Sequence, residues 1–477
     1  MNKKNWITSP FEESCVTFKK ELELSKEVKS AVIDLTVMGW YNLYVNNNRI
    51  DKTAFAPGWT DYTKRVQYCS YDVTKVIKDK KVILSVDVGN GWSNALRLGS
   101  GYDVSAPTYF PKSLIYELNV TYVDGSKETF VSDETVDIYT NEVIFNDIYD
   151  GETQDIFRKL EKLGKAKYIE IPCEIIPQEG EDIVFAERFP AQEMFIDNAG
   201  NTIIDFGQNF TGNVEVVIKG AKDGDILSFT PGEVLDEKGV FYNGNYRSAK
   251  STYTFTLSNK KEKYMAKFSF MGGRYLKLIS FPSYIKKENF TAVLIHSDMK
   301  KTCVFECGNK DLQRLYLNNV YGQLSNYLDV PTDCPQRDER LGWTADTQVF
   351  ASTAAINYDV RKFLTKWVND LVLDQMDDGA ILGINPRAPK CTWGSISTGW
   401  GDCATIVPFE LYKAYGDPKI LEISVDMMEK WINYELSKCK KPNIVSFEMA
   451  FGDWCALDKG YGWESRGLTR FDLVDTA

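Results

Sequence analysis

The chain has 477 residues, a formal net charge of −11 and 43% hydrophobic residues, enough for roughly two to four domains with their own cores. The acidic balance argues against nucleic acid and anionic membrane as partners, because both demand a basic patch. A run of about 18 apolar residues is absent, so no membrane span is expected.

The charged start Met1-Asn2-Lys3-Lys4 is not followed by an apolar stretch, and the ten cysteines are scattered without a CxxC pair. Reduced thiols and a cytoplasmic location are therefore expected. A single histidine, His296, removes Ser-His-Asp, Cys-His and most His-metal schemes unless it is itself placed for one. Any catalysis is therefore expected to fall to carboxylates. Aromatic residues make up 13% of the chain, which suits both β-sandwich cores and rings laid against sugar faces.

In chain order, Ala31 to Val37 alternates apolar and polar residues, Met38-Gly39 breaks the run, and Tyr41, Leu43 and Val45 resume it up to a turn at Asn46-Asn47-Asn48. Val82–Val88 reads as another strand, stopped by Gly89-Asn90-Gly91. Short strands punctuated by Gly, Asn and Pro predict a β-sandwich over residues 1–184. Residues 185–300 repeat the character, with strands expected at Val214–Ile218, Ser251–Leu257 and Phe268-Ser269-Phe270, and predict a second sandwich.

The period changes near residue 308. Leu312, Leu315, Tyr316, Val320, Leu324 and Leu328 form one helical face. Further helices are predicted at 344–356, 360–377, 403–415 and 418–436, with another start at 468. Strands followed by helices mean separate domains, so 301–477 is predicted as an all-α unit. The last residues, Leu473 to Ala477, carry no helix-capping Gly or Asn, and the chain is expected to end inside that unit.

The stretch Asp333-Cys334-Pro335-Gln336-Arg337-Asp338-Glu339-Arg340-Leu341-Gly342-Trp343-Thr344-Ala345-Asp346 carries the chemistry. Glycoside hydrolysis needs a protonated carboxyl for the leaving oxygen and a carboxylate to activate water or attack the sugar. Thr344 is the expected N-cap of the next helix, placing Asp346 in its first turn, where the macrodipole favours the ionised form. Asp333 and Asp346 would push the Glu339 carboxyl up and keep it protonated, while Arg337 and Arg340 act in the opposite direction. Trp343 could wall a sugar face, and Gly342 would let the backbone turn tightly. On chemistry alone, a loop whose Arg-Asp pairs merely tie helices together stays an open alternative.

The 333–346 stretch resembles the signature of bacterial α-L-rhamnosidases of glycoside hydrolase family 78. Ala56-Pro57-Gly58-Trp59-Thr60-Asp61-Tyr62 and Gly89-Asn90-Gly91-Trp92 are similar to the family's N-terminal β domain. Asp205-Phe206-Gly207-Gln208-Asn209 and Gly272-Gly273-Arg274-Tyr275 are similar to its next β domain. Gly399-Trp400-Gly401-Asp402 and Phe451-Gly452-Asp453-Trp454 resemble segments lining the pocket of its (α/α)6 barrel. Three departures stand out: Ala345 for the usual Gly, Gly273 for a common aromatic, and Thr230-Pro231-Gly232 for a stretch with a basic residue and His.

The resemblance implies two N-terminal β-sandwich domains followed by the first part of an (α/α)6 barrel, cleaving terminal α-L-rhamnose with inversion by direct displacement with water, with no metal and no organic cofactor. It makes Glu339 the general acid and Asp333, Arg337, Trp343, Asp346, Trp400 and Trp454 sugar-binding residues. Asp402 and Asp453 either line the pocket or brace its loops. It places the general base, a Glu, beyond the last residue, so weak or absent hydrolysis and an exposed apolar flank are expected of the chain alone. The expected partner is a rhamnose-containing oligosaccharide or glycoside, and a homodimer is compatible. The competing readings are a non-catalytic rhamnose-binding protein and another inverting hydrolase or phosphorylase on the same barrel.

Overall fold

The computed structural model describes residues 1–95, 109–388, 396–441 and 444–445. The first domain is a sandwich of a seven-stranded and a six-stranded sheet. Strand Val28–Met38 runs antiparallel to Ser113–Tyr122 in the first sheet, and Val16–Glu23 to Lys81–Gly89 in the second. Their alternate residues Ile33, Leu35, Phe18, Val86 and Leu118 fill the space between. Gly39 is where the chain crosses from one sheet to the other. Its φ is +141°, and a Cβ there would lie 2.3 Å from the Gly89 carbonyl oxygen, so only glycine fits. The expected turn closes a two-residue hairpin, with Asn46 and Asn47 at φ 50° and 61°, the left-handed pair that such a turn requires.

The second β domain is built on one ten-stranded sheet. Strand Thr202–Val217 pairs with Met271–Ser280 through both halves, with Glu193–Ile196 along its first half, and with Phe290–Ser297 and Lys263–Tyr264 along its second. A register shift between Asp205 and Phe210 interrupts its pairing with Met271–Ser280, an irregularity of the kind that bends a strand. The hairpin Val143–Asp147 and Gly151–Asp155 joins this sheet, its second strand parallel to Thr252–Thr256.

Phe268-Ser269-Phe270 is not a strand, contrary to its alternating pattern. The backbone N–H groups of Lys267 and Phe268 instead donate to the buried carboxylate of Glu152, at 2.9 and 2.7 Å. His296 lies buried in strand Phe290–Ser297, its Nδ1 2.7 Å from the Ser297 carbonyl, and burial pushes its pKa down.

Five described helices follow: α1 Lys310–Asn326, α2 Thr344–Asn357, α3 Arg361–Asp374, α4 Cys403–Tyr415 and α5 Lys419–Ser437. Asn309 caps α1 through the N–H groups of Asp311 and Leu312, two donors that the helix itself leaves unpaired. That helix ends before Leu328, because Tyr327-Leu328 folds back on Val330-Pro331 around Asp329 at φ 69°. Helix α4 packs against α2, α5 and α3, and α3 also packs against α5. Val349, Ile356, Phe409, Val425 and Leu436 stay exposed on these helices. No described helix is long and apolar enough to cross a membrane.

Buried charge joins the first sandwich to the helices. Arg65 reaches Asp370 at 2.7 Å, and Lys366, whose side chain is fully buried, reaches Asp370 at 3.1 Å and the Trp59 carbonyl. The Asp329 carboxylate accepts the Trp59 N–H. Two cations facing two carboxylates is the form in which buried charge is tolerated.

Candidate active site

The 333–346 stretch lies between the Tyr327–Pro331 turn and α2, and elements from three parts of the chain hold it. Asp333 closes it on itself: its N–H donates to the Leu341 carbonyl at 2.9 Å, and its Oδ1 accepts the Leu341 N–H at 3.0 Å. Arg340, at φ 51° and fully buried, donates to the carbonyls of Ile148, Phe270 at 3.0 Å, Gln336 at 3.1 Å and Arg337 at 3.2 Å. Its guanidinium lies over the Phe270 ring, 4.6 Å from the centroid, a cation–π contact. Arg340 is thus committed to the β domain and plays no part at the carboxylates.

Gly342 is needed for a different reason from the expected tight turn. The left-handed residue is Arg340, and at Gly342 a Cβ would fall 2.1 Å from the Asn385 carbonyl oxygen. The Gly342 carbonyl accepts the Asn385 N–H at 2.9 Å, and Trp367 and Asn385 brace each other through two side-chain-to-backbone bonds. Trp343, not Thr344, takes the cap position of α2, because the Thr344 hydroxyl donates to the Gly383 carbonyl at 3.1 Å.

Four of the residues singled out in the sequence meet in one cluster. Arg337 Nη2 lies 3.1 Å from Asp333 Oδ2 and 3.0 Å from Glu339 Oε2. Trp343 Nε1 donates to Glu339 Oε1 at 2.8 Å. The Asp333 carboxyl is pushed up to about 7, first by burial and then by the negative charge of Glu339, with Arg337 opposing. Asp346 occupies the first turn of α2, as expected. The protein crowding around it pushes its carboxyl up and Glu339 adds to this, with a backbone N–H and Arg337 opposing. Asp333, Cys334 and Glu339 bring ligand-type atoms within 4.8 Å of one another, but Arg337 supplies the positive charge between the two carboxylates.

Trp400 is half-buried in the turn before α4. Thr344 and Cys403 touch at the starts of α2 and α4. Asp402 braces the turn: its Oδ2 accepts the Gly399 N–H at 2.7 Å and its Oδ1 the Trp431 Nε1–H at 3.0 Å. Burial and this neighbour push the Glu435 carboxyl up to about 7. Asp453 and Trp454 lie outside the described residues.

Several residues that carry no sequence signal complete the cluster. Arg247 of the second β domain donates to Asp338 Oδ1 at 2.7 Å and to Glu339 Oε2 at 2.8 Å. Ser248 binds the other Asp338 oxygen, and the Tyr149 hydroxyl donates to the Glu339 carbonyl at 2.9 Å. Gln336 reaches Glu233 at 2.9 Å.

Comparison with known proteins agrees along the chain. Three family models match: the α-L-rhamnosidase N-terminal domain over residues 26–171, the bacterial α-L-rhamnosidase concanavalin-like domain over 197–296, and the bacterial α-L-rhamnosidase 6 hairpin glycosidase domain over 300–477. The chain belongs to the α-L-rhamnosidase family. An α-L-rhamnosidase of Formosa agariphila is 33% identical over 475 residues, 96% of this chain and 50% of that protein. The Streptomyces avermitilis α-L-rhamnosidase complexed with L-rhamnose superposes with a TM-score of 0.87 at 30% identity, covering 98% of this chain and 45% of that one. The Aspergillus terreus α-L-rhamnosidase gives 0.89 at 28% identity, covering 98% and 56%. The chain therefore spans about half the length of the family relatives it matches.

Proposed function

We propose that the chain acts on terminal α-L-rhamnosides, with Glu339 donating the proton to the glycosidic oxygen. The observation that supports this most is the convergence of Asp333, Arg337, Glu339 and Trp343 in a chain of this family. Burial and the neighbouring Glu339 push the Asp333 carboxyl up, the direction that favours its protonated form. Arg337 fixes both carboxyl groups, Trp343 offers a ring face to the deoxy-sugar, and Asp346 accepts hydroxyl protons. Trp400, and Trp454 by resemblance, complete the sugar's surroundings. Inversion requires a second carboxylate to activate water on the opposite face, and no described residue is assigned that part.

The test pairs calorimetry with L-rhamnose and hydrolysis of a p-nitrophenyl α-L-rhamnoside, with the first-formed anomer read by NMR. Binding with release of β-L-rhamnose supports the proposal, and release of the α-anomer rejects inversion. Because weak hydrolysis is expected of the chain alone, turnover is read against Glu339→Gln: binding with turnover no higher than in that variant favours the rhamnose-binding reading, and neither binding nor turnover rejects both.

A further inference from the structure

Arg247 has a backbone conformation that calls for an explanation. Its φ is 56° and its ψ −113°. Residues with a Cβ rarely adopt that region, and such strain persists only where the surroundings enforce it. Those surroundings are specific. Tyr246, on one side, is buried with its hydroxyl on the Gly272 carbonyl. On the other side, the Ser248 N–H donates to Asp338 at 3.1 Å, the Lys250 N–H to Asp150 at 3.0 Å and the Ser251 N–H to the Tyr149 carbonyl at 3.1 Å. The result is a guanidinium aimed out of the second β domain across the domain boundary, with Nε on Asp338 and Nη2 on Glu339.

Glu339 is thereby fixed through both oxygens. Oε1 takes the Trp343 Nε1–H, and Oε2 takes Arg337 from its own loop and Arg247 from the other domain. We propose that Arg247 is a positioning residue for Glu339, delivered by the second β domain and anchored by Asp338. The inference rests on the reading of Glu339 as the proton donor. The geometry supports a division of labour. Arg337 bridges Asp333 and Glu339 within the loop, whereas Arg247 ties the carboxyl to a sheet that the loop does not belong to, so its rotation is restrained from two directions. Among the described residues, the charged and titratable groups facing Glu339 are Arg337, Asp333, Cys334, Asp346 and Arg247, with Asp338 behind the last.

The test uses the full chain as wild type, Arg247→Ala, Arg247→Lys, Glu339→Gln and the Arg247→Ala/Glu339→Gln pair. Each is measured for thermal midpoint, for L-rhamnose binding between pH 4 and 9, and for kcat/KM on a p-nitrophenyl and an alkyl α-L-rhamnoside. Loss of an adjacent cation moves the basic limb of the pH profile up by about one unit. Arg247→Ala is expected to show that shift, in binding and in rate. It should also lose about tenfold or more on the alkyl substrate, with a smaller loss on p-nitrophenol, a leaving group that needs little help from an acid. Lysine, which cannot span Asp338 and Glu339 together, restores part of the effect. If Arg247→Ala fails to fold, Arg247→Lys carries the same comparison with a smaller shift. A pH profile unchanged in the variants, or an Arg247→Ala effect that persists in full in the Glu339→Gln background, overturns the inference. A wild-type chain that neither binds rhamnose nor cleaves a rhamnoside removes the role of Glu339 and this inference with it. A functional wild type with silent Arg247 variants removes the inference alone.

Discussion

Replacing Arg340 by methionine should unfasten the active-site loop from the β domain. The guanidinium is fully buried, and among the described residues no carboxylate lies within ion-pair distance of it. Its charge is satisfied by four carbonyls, those of Ile148, Phe270, Gln336 and Arg337. Methionine keeps the contact with the Phe270 and Tyr149 rings but removes every donor. Hydrogen bonds to a charged group contribute about 1.5–3 kcal/mol each, so simple addition over four would exceed about 6 kcal/mol. Relief of the desolvation carried by a buried cation offsets several kcal/mol of that. A net loss of about 3–5 kcal/mol remains, because four carbonyls lose this donor at about 1–3 kcal/mol for each one left buried and unpaired. With a urea dependence of about 1–3 kcal/mol per M, the tryptophan-fluorescence midpoint should fall by at least about 1 M. Amide exchange should quicken at 148–149 and 270–272, which receive or flank these bonds. A midpoint within about 0.3 M of wild type, with exchange there unchanged, would refute the reasoning. Arg340→Lys, with its charge kept but its planar fork lost, should fall between the two.

Glu339→Gln should lower kcat/KM at least about 100-fold while L-rhamnose affinity changes much less, as rates and calorimetry would show. Gly342→Ala puts a Cβ 2.1 Å from the Asn385 oxygen, and should cost about 1–3 kcal/mol of stability and weaken rhamnose binding. The Asp374 carboxyl is pushed up to about 7, chiefly by burial and then by Asp61, even though Lys64 lies 3.2 Å away. A folded-state pKa above the unfolded value gives stability that is present below about pH 4 and lost as pH rises through about 7. Asp374→Asn should therefore flatten the decline in urea midpoint between about pH 4.5 and 8, and an identical decline in the variant would count against the assignment.

Much of the fold is legible in the sequence because its periods are local. Alternation marks Val28–Met38 and Lys81–Gly89, and the 3.6-residue period marks α1 to α5 within a few residues. Phe268-Ser269-Phe270 misleads because its neighbours' hydrogen bonds go to a carboxylate 115 or more positions away in sequence, which no window reports. At the site, Asp333, Arg337, Glu339 and Trp343 are legible because one short loop carries them all. Arg247, Ser248 and Tyr149 are not, since Asn245-Tyr246-Arg247-Ser248 looks like any polar turn until the domains are docked. Arg340 and Gly342 draw attention for the wrong reasons: one looks like a site charge and the other like a turn glycine, and both prove to be contacts with other segments.

The attachments of 333–346 to Ile148, Tyr149, Arg247, Ser248 and Phe270 make ligand occupancy and domain docking linked equilibria. A sugar that binds only the docked form adds RT ln(1 + [L]/Kd) to its stability, about 2.7 kcal/mol at a hundred times Kd. That free energy is not confined to the helices: it is shared by the sheets that hold the loop. A saturating sugar should then slow proteolysis of the 243–251 segment, which forms no part of the helical unit, and the β domain would report on occupancy as sensitively as the loop itself.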